Sequence, residues 1–419
     1  MSGTRDFPQA SGYEGYRSFQ YLRAGIDYKD YEWEAEIDRL PLYEAGLTPE
    51  QAAHAERLLQ ESLVISLHDH PQVYPRNVID EGPDYASQGR TPVGYEGLSY
   101  SGMDVVFDNL AGPTGCIMSR YGWDWNDVVY DIGHRLADVA HQRYVEIIRT
   151  VSEIESIRGT GRLGMVLALE AASPIDNDID RVDILYGFGI RQMGLVYNES
   201  NLLGGGLKEY RDGGLTRFGH RVVERMNRLG MSVDLSHAGD RTTLDAIAAS
   251  EAPVMITHAG ARGVWPSERM KPDSVLKALA ERDGLFGIEA APNSTLTPQH
   301  DTHTLDAVMA HFEYCVELMG IDHVTFGPDT LYADHARLHE AFAGVFGNAG
   351  EQRHVGPDPE TRIGVTDPAK PKSDWCAGME NPTENFRNAI GWLVAHGYSD
   401  DDIRKVVGGN TLRVLERSW

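Results

Sequence analysis

The sequence predicts an α/β fold: a (β/α)8 TIM barrel with an N-terminal extension and long insertions in its βα loops. Eight short apolar runs recur between positions 63 and 329, and helical periodicity separates most of them. Eight runs in roughly 270 residues match the usual size of such a barrel. No glycine-rich phosphate loop follows the first run, which argues against a doubly wound open sheet.

Each apolar run is short enough for a buried strand, and the polar stretches between runs have the spacing of amphipathic helices. Helices are expected over 218–230 and 243–250. The runs expected to form strands are LVISLH (63–68), MDVVF (103–107), LGMVLALE (163–170), IRQMGLVY (190–197), MSVDLSH (231–237), PVMITH (253–258), LFGIEA (285–290) and HVTFGPD (323–329).

Residues 1–60 are polar and rich in aromatic side chains, and we expect them to form an extension that packs on the barrel. The TPEQ sequence has the pattern of a capping box, which predicts a helix from Thr48 to about Leu59. Residues 61–419 contain no internal repeat and no evident linker, so one barrel domain is the simplest interpretation.

The formal charge of −25 argues against nucleic acid and anionic membrane surfaces as partners. Three cysteines, Cys116, Cys315 and Cys376, lie far apart and form no CxxC pair, which excludes a disulfide framework and a thiolate metal site. The N-terminus lacks the apolar core of a signal peptide, and no apolar run reaches eighteen residues. The expected location is the cytoplasm.

Side chains that bind metals stand at the ends of five of the eight runs. A parallel barrel brings all its strand C-termini to one face, so these residues can converge. Any one of them could be an ordinary structural residue, but chance seldom places acids or histidines at five strand ends. Neutral imidazoles with carboxylates suit zinc or a similar divalent ion. The candidates are His68, Asp69, His70, Glu170, His237, His258 and Asp329.

The sequence resembles the membrane (renal) dipeptidase family of the amidohydrolase superfamily. The resemblance is strongest over 214–237, 253–258 and 268–276, and it resumes at 323–329 and 378–419. It implies two divalent metal ions, expected to be Zn²⁺. Glu170 would bridge them, His237 and His258 would hold one, and the histidine pair of the first strand the other. Asp329 would handle protons, and Arg269 would grip the substrate's terminal carboxylate.

Three departures from the family pattern affect this expectation. The first strand ends in LHDHP where the family has His-x-Asp, so either His68 and His70 are ligands or Asp69 serves; the two-residue spacing favours the histidine pair. Ala171-Ala172 replaces Gly-Gly. Tyr197 stands where the family has a histidine that contacts the scissile carbonyl; its hydroxyl can donate a hydrogen bond to an oxyanion.

The resulting hypothesis is a metal-dependent hydrolase that cleaves the amide bond of a dipeptide or dipeptide-like small molecule. The alternative is an amidohydrolase that acts on a lactone, a cyclic amide or another non-peptide substrate. A small molecule is the expected partner, and the family suggests a homodimer. Two long insertions are expected, 71–135 and 330–377. Aromatics of the first, such as Tyr121, Trp123 and Trp125, would either line a bulky pocket or pack loops, or a subunit contact, onto the barrel.

Overall fold

The structure is a computed structural model that describes residues 3–87, 90–110, 123–342, 353–354, 365–366 and 375–419. Its main sheet has ten strands, and every pairing in it is parallel. The strands are β1 (Ile65–Val73), β2 (Val105–Leu110), β3 (Val145–Ile147), β4 (Leu163–Leu169), β5 (Ile190–Gly194), β6 (Ser232–Asp234), β7 (Met255–Ala259), β8 (Leu285–Ile288), β9 (Val324–Phe326) and β10 (Leu331–Tyr332).

The strand order is β10-β1-β2-β4-β5-β6-β7-β8-β9, and β3 pairs beside β4. The chain leaving β9 hydrogen-bonds to β1: Asp329 N donates to His68 O at 3.0 Å, and His70 N donates to Thr330 O at 2.9 Å. The sheet therefore returns to its first strand. The predicted barrel is confirmed, and the eight predicted runs form β1, β2 and β4 to β9.

The short strands β3 and β10 were not predicted. A separate antiparallel pair, β11 (Arg353–His354) and β12 (Val365–Thr366), was also not predicted. All nine residues of β1 and all seven of β4 are buried. Burial on both faces explains why β4 appears in the sequence as the continuous apolar run LGMVLAL instead of an alternating pattern.

Helices separate most of the strands. They are α1 (Pro49–Glu61), α2 (Val78–Ser87), α3 (Tyr95–Tyr100), α4 (Trp125–Val139), α5 (Val151–Ile157), α6 (Asp180–Phe188), α7 (Arg217–Leu229), α8 (Asp240–Ala249), α9 (Asp273–Glu281), α10 (Leu305–Met319), α11 (His335–Phe342), α12 (Asn385–Ala395), α13 (Asp400–Arg404) and α14 (Asn410–Ser418). The predicted helices over 218–230 and 243–250 correspond to α7 and α8.

The predicted capping box is present at the start of α1. Thr48 Oγ1 accepts a hydrogen bond from Gln51 N at 3.2 Å, and Gln51 Oε1 accepts one from Thr48 N at 3.0 Å. These reciprocal bonds satisfy backbone donors that have no partner within the helix.

The segment before α1 packs on two barrel helices and the loop next to them. Tyr16 Oη donates to Asp138 Oδ1 on α4 at 2.8 Å, and Tyr43 N donates to Glu384 Oε2, the residue before α12, at 2.9 Å. At the C-terminus, Val414 and Leu415 of α14 join a buried cluster with residues of β1, β2, β4, β7 and β8. Among the described residues, no helix is long and apolar enough to cross a membrane.

Candidate metal centre

Six side chains from the ends of five strands meet at one place, which we call the strand-end cluster. His68 and His70 come from β1, Glu170 follows β4, His237 follows β6, His258 lies on β7, and Asp329 follows β9. The members are mostly buried, with His68 and His258 fully so. The parallel topology thus brings together residues that are 261 positions apart in the chain.

Glu170 lies at the centre of the strand-end cluster. Its Oε1 is 3.3 Å from His237 Nε2, 3.7 Å from His258 Nε2 and 3.9 Å from His68 Nε2, whereas its Oε2 is 3.8 Å from His70 Nε2. The two oxygens of one carboxylate therefore face different sets of histidines. This arrangement suits a carboxylate that bridges two cations.

Asp329 closes the other side of the strand-end cluster. Its Oδ1 is 3.2 Å from His70 Nε2 and 3.6 Å from His68 Nε2. Potential metal-binding atoms in His68, His70 and Asp329 form one compact group, and those in Glu170, His237 and His258 form another; within each group they lie within 4.8 Å of one another. Two adjoining groups of three could hold two divalent ions.

The backbone of Asp329 has a φ of +58°, a left-handed conformation that non-glycine residues adopt infrequently. The hydrogen bond from Asp329 N to His68 O and the one from Thr330 N to Asp69 Oδ1, at 2.9 Å, hold it in place. Asp69 therefore accepts from Thr330, and its carboxylate lies outside the two compact groups of potential metal-binding atoms. Of the two alternatives for the first strand, the geometry favours His68 and His70.

The Nδ1 atoms of two cluster histidines share one acceptor. Thr257 Oγ1 lies 3.2 Å from His68 Nδ1, 2.9 Å from His258 Nδ1 and 3.0 Å from Ser236 Oγ. Ser236 Oγ donates to Asp234 Oδ1 at 2.6 Å, so it accepts the single proton of Thr257. Thr257 Oγ1 therefore has no proton left for the histidines and can only accept from them. Both Nδ1 atoms must carry the protons of these hydrogen bonds.

The other two cluster histidines are anchored in the same way. His237 Nδ1 lies 3.1 Å from Asn198 Oδ1, and His70 Nδ1 lies 2.7 Å from the carbonyl oxygen of Asn109. A carbonyl oxygen can only accept, so these nitrogens donate. All four imidazoles thus direct Nε2 at the strand-end cluster, where His68 Nε2 is buried without a hydrogen-bond partner. Such outward anchoring of Nδ1 is typical of metal-binding histidines.

Two glycines bring the neighbouring strands close to Thr257. A Cβ on Gly287 would lie 1.9 Å from Thr257 O, and one on Gly327 would lie 2.0 Å from the same atom. No side chain fits at these distances. Both positions must be glycine for β8 and the end of β9 to approach β7 as closely as they do.

Burial controls the charge of the histidines. It holds the pKa values of His68, His237 and His258 well below their usual range, so these rings are neutral, which is the form that binds metals. Burial also opposes the charged form of His70. The hydrogen bond to Asp329 and the charge of Glu170 outweigh burial and raise the pKa of His70 to about 10 in the metal-free protein.

The two carboxyl groups of the strand-end cluster differ. Burial raises the pKa of Glu170 to about 7, although the charge of His70 opposes this shift. Burial would also raise the pKa of Asp329, but the hydrogen bond to His70 and the charge of that ring prevail and lower it. Asp329 is therefore ionised at neutral pH and able to accept a proton.

The ring of Tyr197 stacks on the ring of His237, with centroids 3.9 Å apart and planes inclined by 15°. The expected oxyanion donor thus lies beside the strand-end cluster.

Trp123 Nε1 donates to Asp131 at 3.2 Å, and the ring of Trp125 lies 5.0 Å from the guanidinium of Arg181. These two tryptophans pack loops and helices. Tyr121 and Cys116 lie outside the described residues.

Arg269 reaches the strand-end cluster but is already occupied. Its Nη2 donates to His258 O at 2.9 Å and to Glu289 Oε2 at 2.5 Å, and its Nη1 donates to Ser236 O at 3.2 Å.

The sequence analysis did not identify Glu289 as a residue of the site. The signal was available, because Glu289 is the next-to-last residue of the run LFGIEA, near the strand end, much as Glu170 is the last residue of LGMVLALE. Burial raises the pKa of Glu289 to about 7, and the charge of Arg269 opposes that shift.

Sequence reasoning also missed the residues that anchor the histidines. Asp234 Oδ1 accepts from Ser236 N and Thr257 N, both at 3.0 Å, and from Ser236 Oγ. Asp234 and Ser236 belong to the predicted strand run MSVDLSH and lie just before His237, so the sequence offered a signal for them. Nothing in the sequence connects Thr257 with His68, which lies 189 residues earlier.

Comparisons with known proteins identify relatives of this chain. The model of the family described as membrane dipeptidase (peptidase family M19) matches residues 53–336. Dipeptidase verJ of Clonostachys rogersoniana is 29% identical over 288 residues, which cover 68% of this chain and 63% of that protein. Dipeptidase aclJ of Aspergillus oryzae is 30% identical over 257 residues, which cover 61% of this chain and 51% of that protein.

This chain therefore spans between about half and two thirds of the length of these curated relatives. A crystal structure of an amidohydrolase from Pseudomonas aeruginosa is 23% identical and superposes with a TM-score of 0.67. The superposition covers 87% of this chain and 99% of that one. It shows that the two proteins share a fold.

Proposed function

We propose that this chain, which belongs to the membrane dipeptidase family (peptidase family M19), hydrolyses the amide bond of a dipeptide or dipeptide-like small molecule. The observation that carries the proposal is the strand-end cluster, in which four imidazoles direct Nε2 at Glu170 and Asp329. The family is one of metallopeptidases, so the reaction is expected to depend on divalent metal ions.

We propose two ions, both Zn²⁺. The residues present fit them: the buried Nε2 of His68 has no hydrogen-bond partner, and the anchored Nδ1 atoms leave Nε2 lone pairs for cations. His68 and His70 would hold one ion, His237 and His258 the other, and Glu170 would bridge them. Such ions supply a strong nucleophile from water at neutral pH and polarise a carbonyl group.

The protein's own groups would then handle protons and orientation. Asp329, ionised because its pKa is lowered, takes the proton of the attacking water and delivers it to the leaving amine. Tyr197, stacked on His237, donates a hydrogen bond to the developing oxyanion. The carboxylate grip expected of Arg269 would require a substrate to compete with Glu289.

The organisation of the chain is proposed along the same lines. Residues 61–419 would form the hydrolase domain and residues 1–60 an extension on it, an interpretation supported by the contacts of Tyr16 and Tyr43 with the barrel. We also propose a homodimer. Cys315 and Cys376 are buried free thiols, which supports a reducing, cytoplasmic location.

Elemental analysis of the purified protein, paired with dipeptidase assays before and after chelation, tests the proposal. The expected result is about two equivalents of zinc per chain, with hydrolysis that is lost on chelation and restored by zinc. Metal without hydrolysis of any dipeptide would redirect the search to lactones and cyclic amides. Absence of metal after reconstitution would overturn the assignment.

A further inference from the structure

Glu289 lies at the edge of the strand-end cluster without belonging to it. The side chain is fully buried at the end of β8. A carboxylate oxygen lies within 4.8 Å of the potential metal-binding atoms of His258 and Asp329. Its Oε2 accepts from Arg269, whereas its Oε1 is buried and forms no hydrogen bond of ordinary geometry among the described residues, although the Ser294 hydroxyl lies near enough to lower the pKa of the carboxyl group. A buried carboxylate oxygen without a donor is open to a hydrogen bond from a bound molecule.

The partner of Glu289 is the guanidinium whose charge acts on Glu170, His237 and His258. For the expected grip on a substrate carboxylate, Arg269 would need two parallel N–H groups that are not already bonded. In this protein Nη2 already bonds two acceptors and Nη1 one, and these acceptors are on or directly after β6, β7 and β8. Arg269 therefore ties three strand ends together and has lost most of its capacity for a bidentate grip.

The charges beside Arg269 also disfavour a substrate carboxylate at this place. In its ionised form Glu289 offsets the positive charge of Arg269, so the pair is neutral as a unit. A substrate carboxylate placed there would lie against the negative charge of Glu289, and Arg269, already paired with Glu289, would not offset the repulsion. An ammonium group would meet the positive charge of Arg269. An uncharged group that donates an N–H to Glu289 Oε1 satisfies the open acceptor and adds no charge.

We propose that Glu289 determines the substrate class: the enzyme takes dipeptide-like amides whose end group beside Arg269 is an uncharged N–H donor, such as a carboxamide, in preference to a free carboxylate. This inference rests on the proposed function and refines it. Glu289 acts as a specificity-determining residue, and Arg269 acts as a positioning residue that holds Glu289 and the ends of β6 and β7.

The test compares alanyl-alanine with alanyl-alanine amide, each as all four stereoisomers, on the zinc-loaded enzyme. We expect kcat/KM of the wild type to be at least tenfold higher for the amide. Glu289→Gln keeps the shape of the side chain and removes its charge, which frees Arg269. Its kcat/KM for the acid should rise at least tenfold while its zinc content stays unchanged. Glu224→Gln, an exposed substitution on α7, should leave the acid-to-amide ratio unaltered.

A wild type that prefers the acid would overturn the assignment of Glu289 and leave the proposed function standing. The same holds if Glu289→Gln loses zinc, because Glu289 would then be a metal ligand. Failure to cleave either compound would overturn the proposed function and this inference together. The wild-type ratio needs no substitution, so it is decisive even if the variant does not fold.

Discussion

Two of the buried groups of ionisable residues in the described part of the chain differ in whether their hydrogen bonds are complete. In the strand-end cluster, four imidazole Nε2 atoms converge on two carboxylates, and His68 Nε2 has no hydrogen-bond partner among the described residues. In the second group, which we call the Asp138 network, Asp138 on α4 accepts from the side chains of Tyr16, Ser18 and Tyr95 and from Phe19 N. The first group needs an additional positive charge, and the second does not.

The contrast separates function from structure in buried polar groups. A buried carboxylate with four donors fixes the chain that surrounds it, here the N-terminal segment against α4. A cluster whose lone pairs face each other is stable only with a cation or proton among them. Burial alone does not distinguish the two, because Asp138 and His68 are both fully buried. Counting donors and acceptors does.

The largest effect is expected from substitutions in the strand-end cluster. His237→Ala removes an expected metal ligand and should abolish turnover, and Asp329→Asn should lower kcat by ~10²–10⁴-fold. Steady-state kinetics with zinc present measures both, and thermal unfolding should show that the fold is retained. Near-wild-type activity of either variant would contradict the proposed site.

Asp138→Ala should have the opposite profile. It leaves four donors, three of them buried, without their acceptor, which should lower the free energy of unfolding by about 3–5 kcal/mol. Activity per folded molecule should not change, because Asp138 lies outside the strand-end cluster. Urea unfolding and kinetics at a temperature where the variant is folded measure the two quantities. A selective loss of activity would show that the two groups are coupled.

Asp131, one turn from Arg135 on α4, provides a test by pH. Burial raises the pKa of Asp131 to about 8, although Arg135 opposes the shift. The folded state therefore retains a proton that the unfolded state loses near pH 4. The stability that this bound proton contributes to the wild type declines as the pH rises from about 4 and is lost at about pH 8. Asp131→Asn has no such titration. Its stability relative to wild type should increase by about 2–4 kcal/mol between pH 5 and pH 8, measured by urea unfolding.

The smallest effect concerns the anchoring of the histidines. Thr257→Val removes the hydroxyl that accepts from His68 Nδ1 and His258 Nδ1 and should lower zinc affinity by about 10–100-fold. Competition with a chelator measures that affinity. Thr257→Ser retains the hydroxyl and should restore most of it. Equal affinities of the valine and serine variants would show that Thr257 only fills space.

The sequence alone determined the fold and the identity of the candidate ligands. Period and length marked eight strands correctly, because strands buried on both faces appear as short, mainly apolar runs. The topology of a parallel barrel then required their C-terminal residues to meet. His68, His70, Glu170, His237, His258 and Asp329 could therefore be listed without coordinates, since convergence follows from chain order and strand direction.

The tertiary structure alone decided which of these groups have partners. A register irregularity between Ser66 and Asp69 in β1 accompanies the contact of Asp69 with Thr330, which sequence alternation left open. The pairing of Arg269 with Glu289 and the sharing of Thr257 by two histidines depend on strand twist and on distances of a few ångströms between remote residues. Side-chain partners are set by such distances, and sequence periodicity does not contain them.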